Sequence, residues 1–352
     1  MNELRTILAD VVTRLFSERV TKEVIEAAEQ GIWPQALWQA IEENGLTLPL
    51  LPEVKGGAGG TWLDAHVVVT AAGRHAVPLP LAETIVASWL LSTAGLDVPE
   101  GPLTVAPVHR EETIRVRSHG VAWRARGTAS RVPWGGDAGH VVIVGEGDGR
   151  PVVALIAAGS YQVTSDRNLA LEPRDTLTFD DAPVLAAAQT ERLPADAVWL
   201  YGALARSAQI AGGLESALTQ ATRYAGERKQ FGRPIGSFQA IQHQLALLAG
   251  HTAAASMAAA NAFRAAEVGR DAALEIAVAK ARAGEAAGLA AGIAHQVHGA
   301  IGFTYEHSLH FVTRRLWSWR AEFGGEGWWQ AELGRSVARE GGDALWPHLT
   351  AR

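Results

Sequence analysis

Three cations and an aromatic ring crowd one short break in an otherwise helix-forming stretch. Arg228, Lys229, Phe231 and Arg233 fall within residues 223–242, which read RYAGERKQFGRPIGSFQAIQ. A guanidinium makes paired, charge-assisted hydrogen bonds to phosphate, and clustered cations beside an aromatic at a helix junction suit a planar ligand carrying phosphate. An interhelical loop with solvated charges is the competing reading, and spacing alone favours it. His295-x-x-His298 and His307-x-x-His310 stand at helix-neighbour spacing, which allows metal ligation. No Glu-x-x-His pair of the di-iron kind accompanies them, so satisfied or exposed histidines are the simpler account and no metal is assigned. Trp317, Trp319, Trp328 and Trp329 offer either an apolar substrate slot or packing at a subunit interface. No nucleophile elbow or Ser-His-Asp pattern stands out. The glycine-rich stretch from Pro52 to Gly60 lacks the closing Lys-Ser/Thr of a phosphate loop and has no clear strand before it, so it reads as a flexible turn between helices.

The break must be held by long elements. Residues from Asp196 to Lys229 are rich in Ala, Leu, Gln, Arg and Glu and predict a helix, and the same composition resumes near Phe238. Gly232, Gly236 and Pro234 stop one helix from running through, and Ser237 stands where an N-cap belongs. Asp271 to His298 is alanine-rich, with Ile276, Ala279, Ala283, Ala286, Ala290 and Ile293 on one face. Towards the amino terminus, Leu4, Ile7, Leu8, Val11, Val12, Leu15 and Phe16 repeat at helical spacing. Further helices are expected from Ala36 to Glu43, Leu63 to Ala72 and Leu81 to Ala94, the last two separated by a proline-rich segment.

Near Gly101 the period changes. Ile114–Arg117, Val121–Gly127, Val141–Val144, Val152–Ile156, Tyr161–Val163 and Leu177–Phe179 are short and β-rich, with a turn expected over Gly145–Gly149. Strands at this spacing without intervening helices predict an antiparallel barrel or sandwich of about 85 residues. The expected fold is α+β and multidomain. Residues 1–100 form an all-α amino-terminal domain, 101–190 an antiparallel β-barrel or sandwich, and 191–352 a four-helix bundle.

At 352 residues the chain can bury a large core, and its 48% apolar and 19% charged residues are ordinary for a folded domain. The net charge of −6 gives no global attraction for nucleic acid or an anionic membrane. With no cysteine, disulfides and thiolate catalysis are excluded, and a cytoplasmic location is the default. Neither a signal core nor a spanning segment is expected.

The string from Tyr224 to Ile235, followed by Phe238-Gln239-Ala240-Ile241-Gln242, resembles the signature of acyl-CoA dehydrogenases. Gln296-Val297-His298-Gly299-Ala300-Ile301-Gly302-Phe303-Thr304 resembles their second flavin motif. The resemblance implies FAD as cofactor, an acyl-CoA thioester as substrate, an electron-transferring flavoprotein as acceptor, and contacts that cross a subunit interface. It assigns Arg228 to the FAD pyrophosphate, and Phe231, Gln239, Gln296, Gly299 and Gly302 to the cofactor site. Arg314, Arg315 and Arg320 are then candidates for a CoA phosphate, or form a charged helix face.

The family's base is a Glu-Gly pair beyond the Arg-Arg-type helix. Counting from Arg315 puts Gly324 in its place; Glu326-Gly327 restores the pair only with a shift, and Glu322 misses in the other direction. A second family arrangement takes the base from the preceding long helix, where Gly202 and Ala203 offer no carboxylate. The family's Thr-Glu-Pro flavin loop has no counterpart, and Arg131-Val132-Pro133-Trp134 stands near the usual Trp-Ile-Thr segment. These departures resemble the base-less subunits of heteromeric bacterial acyl-CoA dehydrogenases, including those that shorten steroid side chains, paired with a homologous partner. The alternatives are a self-sufficient homo-oligomer with Glu326 as base, a flavin oxidase or monooxygenase on the same fold, and a cofactor-free scaffold.

Overall fold

A computed structural model describes residues 3–120, 122–268 and 272–350. Val121 and Asp271 lie outside these, and the side chain of Leu4 is not among those described. The amino-terminal part is helical: α1 (Glu3–Arg19), α2 (Lys22–Glu29), α3 (Gln35–Glu43), α4 (Trp62–Arg74) and α5 (Leu81–Thr93). The apolar stripe of α1 seats Val12 and Phe16 in the core, although Ile7 stays exposed. Helix α2 was not expected. Thr21 starts it, its hydroxyl accepting from the Val24 N–H at 3.4 Å, and Ile25 anchors it in the core.

Eight strands follow: β1 (Leu103–Ala106), β2 (Arg115–His119), β3 (Ala122–Pro133), β4 (His140–Gly147), β5 (Arg150–Ala157), β6 (Gln162–Thr164), β7 (Arg174–Val184) and β8 (Ala186–Gln189). They form one sheet in the order β6-β7-β3-β2-β4-β5-β8, with β1 also on β4. The sheet is mixed, not wholly antiparallel, because β1 and β2 both run parallel to β4 along the same edge. The segment joining them carries Pro107 and makes no hairpin, so β2 continues in the direction of β1. The expected turn shrinks to Asp148-Gly149, whose φ values of +50° and +75° suit a two-residue hairpin. Gly145 is a strand residue: the Ile114 carbonyl oxygen would lie 2.4 Å from any β-carbon placed there.

The carboxyl-terminal part holds α6 (Ala197–Glu227), a hairpin β9–β10 (Lys229–Gln230 and Arg233–Pro234), α7 (Gln239–Glu267), α8 (Ala273–His298), α9 (Leu309–Ala321), α10 (Glu326–Glu340) and α11 (Gly342–Thr350). Helices α6 to α9 pack as a bundle over a core of small side chains, among them Ala217, Ala221, Ala255, Ala286 and Ala290. A second core joins α4, α5 and α6 to the inner face of the sheet through Leu90, Val105, Val153 and Leu204. Among the described residues no helix is long and apolar enough to cross a membrane.

Candidate functional site

Helix α6 ends where Arg228 turns extended, at φ −71° and ψ 121°. The chain then doubles back through Phe231 and Gly232, at φ +53° and +80°. A bulky residue in the left-handed region is uncommon and marks local strain. Its ring is not buried in return: Phe231 is 92% exposed. Arg228, Lys229 and Arg233 are exposed around it, and among the described residues none of the three meets a carboxylate. Arg233 instead lies over the Phe238 ring at 4.2 Å. Ser237 does not cap α7. Its hydroxyl donates to the Pro234 carbonyl at 2.7 Å, and the extended residue before the helix is Phe238, which leaves Gln239 exposed in the first turn.

The second motif closes the far end of α8. Gln296 and Gly299 are exposed, and Gly299 takes φ +63° and ψ −144°, a conformation only glycine reaches without strain. Gly302 is buried, and a β-carbon there would come within 2.9 Å of the His298 β-carbon, so its glycine has an internal packing reason. The structure brings both motifs to one end of the bundle, where Tyr224 of α6 stacks on His298 of α8 at 4.7 Å. The four histidines serve this end as stacking and turn residues: His295 lies on Phe303 at 4.4 Å, and His307 Nδ1 accepts from the Leu309 N–H at 3.1 Å. Among the described residues there is no group of three or more side chains placed to hold a metal ion.

Counting along the motifs looks for a base at Gly324 and near Gly202, and both glycines are walled in. Gly324 has φ +89°, and a β-carbon on it would lie 2.7 Å from Trp329 Nε1 and 2.8 Å from Trp199 Cζ2. Lys280 pins this turn by donating to the Gly324 carbonyl at 2.6 Å and to the Arg320 carbonyl at 2.8 Å. Lys280 is fully buried, and burial pulls its ammonium down to about 7, with Glu322 and Glu326 opposing that fall. At the other position, Gly202 faces the ring of Phe323.

The nearby carboxylates are engaged. Glu322 accepts from Arg174 Nε at 2.8 Å and from Arg206 Nε at 2.7 Å. Burial alone raises its pKa, but the two guanidiniums outweigh burial and hold it well below the usual carboxylate range. Glu326, at the start of α10, is paired with Arg320; burial again raises and the arginine lowers, with a net fall. The ion network continues inward, with Arg206 on Glu83 at 2.5 Å and Glu172 taking Arg174 at 2.9 Å and Arg315 at 3.0 Å. Trp319 Nε1 donates to the same Glu172 at 3.1 Å. Arg174 also covers the buried Trp134 ring at 4.9 Å.

This corrects two expectations. Arg315 is buried against Glu172 and Glu29, Arg314 is tied to Glu29 and Arg320 to Glu326. The three arginines of this charged helix are thus ion-paired within the chain and are not cations free for a CoA phosphate. The tryptophans divide: Trp328 and Trp329 pack with Trp199 around the Gly324 turn, Trp319 joins the ion network, and Trp317 stays partly exposed beneath Arg320. Glu83, Glu172, Arg174 and Arg206 were missed from sequence. The available signal was a lone charge in an apolar helical run, as in Leu81-Ala82-Glu83-Thr84-Ile85-Val86.

Comparison with known proteins agrees with the two motifs. The chain matches the acyl-CoA dehydrogenase N-terminal domain over residues 2–97 and the acyl-CoA dehydrogenase C-terminal domain over residues 199–326. It is 30% identical over 325 residues to the acyl-CoA dehydrogenase IpdE2 of Mycobacterium tuberculosis, covering 89% of this chain and 91% of that one. Its structure is similar to the ChsE4-ChsE5 complex from Mycobacterium tuberculosis, with a TM-score of 0.87 and 26% identity over 96% of this chain and 98% of that one. The fold is also that of butyryl-CoA dehydrogenase from Megasphaera elsdenii, at a TM-score of 0.85, 18% identity and coverage of 96% and 99%.

Proposed function

The chain belongs to the acyl-CoA dehydrogenase family, and we propose that it serves there as the subunit that completes a partner's flavin site without supplying the base. The observation that carries this reading is the enclosure of Gly324. A side chain there would collide with two indoles on a backbone that already disfavours one. Glu322 and Glu326, the carboxylates nearest in sequence, each hold arginine instead of facing an open cavity. A base must reach the α-carbon of its substrate, and a carboxylate locked by guanidinium is both turned away and weakened.

The exposed end of the bundle supports the other half of the proposal. Arg228 is free to make paired bonds to a diphosphate. Phe231 is held outward where a neighbour's ligand can cover it, and Gly299 presents backbone that no side chain shields. Gln239, Gln296 and Gly302 complete the set assigned to the cofactor. FAD, when bound, accepts the hydride that leaves the β-carbon of the acyl thioester. This chain's residues orient the cofactor and exclude water, and a homologous partner's carboxylate takes the α-proton. The similarity to a structure described as a complex of two chains favours a heteromer. An acyl-CoA substrate, an electron-transferring flavoprotein as acceptor, a cytoplasmic setting and domains over 1–100, 101–190 and 191–352 belong to the same reading.

The test is made on the full chain co-purified with its homologous partner. The oligomer is expected to show flavin absorbance and acyl-CoA turnover, both kept in Glu326→Gln and the flavin lost in Arg228→Ala. Turnover by the chain alone, abolished in Glu326→Gln, would falsify the proposal.

A further inference from the structure

The ends of α6 and α8 are joined by three stacked rings. Tyr224 lies on His298 with planes 24° from parallel, and His307 stands edge-on, 4.6 Å from the His298 ring and 6.3 Å from Tyr224. Each of the first two rings is coupled directly to a turn assigned above. The Arg228 N–H donates to the Tyr224 carbonyl at 2.8 Å, so the arginine's backbone hangs from the residue that stacks. His298 immediately precedes Gly299 and lies two residues after Gln296.

The imidazole's hydrogen bond fixes the tautomer of its neutral form. His298 Nδ1–H donates to the Ala294 carbonyl at 2.7 Å, which leaves Nε2 as a lone pair. The residue is only 3% exposed, and that Nε2 has no hydrogen-bond partner among the described residues. His307 Nδ1 is already an acceptor, which puts its proton on Nε2. Alanines 221, 225 and 294 let the helices approach closely but have no shape that fixes them against sliding. Flat rings in contact do have such a shape.

We propose that Tyr224, His298 and His307 are positioning residues: a neutral stack that holds the two cofactor-contacting turns as one unit, so that the grip on flavin requires an uncharged His298. The inference rests on the reading that Arg228 and Gly299 face a flavin. The surroundings favour the neutral form. Arg223 on α6, His295 on α8 and His310 on α9 face the rings, and Arg314 on α9 with Lys22 and Glu29 on α2 lie beyond them around His310. Glu227 is already paired with Arg223 at 2.9 Å and Glu29 with Arg314 at 2.6 Å, while Glu306 is exposed. A proton entering the cluster therefore meets committed carboxylates and neighbouring cations. Burial first, and the other histidines next, push His307 and His295 below their ordinary range; burial does the same to His298. As pH falls through 6.5, where an exposed histidine charges, protonation comes to compete with the stacked arrangement.

The experiment measures FAD dissociation from the assembled oligomer by flavin fluorescence between pH 8 and 5.5, with thermal unfolding of each apo-oligomer recorded alongside. Tyr224→Leu is expected to weaken FAD about tenfold, a loss sized to that of an aromatic pair, while Tyr224→Phe restores wild-type affinity. Wild-type affinity should fall towards the acid end of this range, below the pH at which an ordinary histidine charges, and His298→Gln should bind weakly at every pH with no such fall. Unchanged affinity in Tyr224→Leu, or a wild-type pH profile in His298→Gln, overturns the stack's role while leaving Arg228→Ala defective. If Arg228→Ala also binds FAD normally, the flavin reading itself is overturned and the inference with it. Should Tyr224→Leu fail to fold, the His298→Gln profile decides.

Discussion

The ring of Phe323 lies so close to Gly202 that a β-carbon on the glycine would sit 2.3 Å from Cε1. The residue beside Gly324 thus fills the space at Gly202. Phe323 itself has φ +51°, so the turn that places its ring is strained, and the Lys280 bonds to Arg320 and Gly324 hold it there. Gly202→Glu and Gly324→Glu are expected to cost about 3 kcal/mol each in urea denaturation and to give no new turnover, because the space must first be opened. Either variant gaining acyl-CoA dehydrogenation as an isolated chain would contradict the enclosure.

Phe231 gives the opposite case. Its ring contributes little to its own fold, and its backbone is strained. Phe231→Gly should leave stability within about 1 kcal/mol of wild type, since relief of strain offsets the freer unfolded chain. FAD binding by the assembled oligomer should weaken. A stability loss with flavin binding intact would place Phe231 in the chain's own packing.

Lys280 carries a pH signature. Its pKa is about 7 in the folded protein against an ordinary 10.5, so between these values the unfolded chain holds a proton that the folded chain does not. Stability therefore rises with pH across that window. Lys280→Met is expected to remove this slope and to cost about 2 kcal/mol from the two carbonyls left unpaired. Chemical denaturation at pH 7 and pH 9.5 checks both.

Glu322 has a dependence of the same sign, in the acid range. Its folded pKa is depressed, so its contribution is complete above the ordinary carboxylate value of 4.5 and is lost as pH falls below it. Glu322→Gln leaves Arg174 and Arg206 short of an anion in the interior and should cost about 3–5 kcal/mol. Acid unfolding of the variant should be correspondingly less steep. A variant as stable as wild type at pH 7 would show that Glu172 and Glu83 suffice.

What the sequence made legible follows from what is local. The 3.6 period located α1, α3, α4, α5 and the bundle helices, because each buries one continuous face. The motif residues were legible as a pattern, and the structure sets both motifs at one end of the bundle. Helix α2 escaped because its signals are one capping threonine and a short apolar face. Strands β1 and β8 escaped because four residues carry too little period. The parallel pairing on β4 is a tertiary choice, and so is the fate of Arg174, Arg206 and Arg315. Nothing in Arg314-Arg315 distinguishes a solvated arginine from one that crosses the interior to Glu172, since the carboxylate lies far off along the chain. The shifted Glu-Gly pair was visible by counting; the indoles that enclose Gly324 were not.

From Gly202 helix α6 runs unbroken to Glu227, with Arg228 as its C-cap. At 1.5 Å per residue this is a strut of roughly 39 Å, longer than an extended flavin dinucleotide. One bound molecule therefore cannot touch both ends. The enclosure at Gly202 and the exposed turn at Arg228 are therefore separate features of one helix.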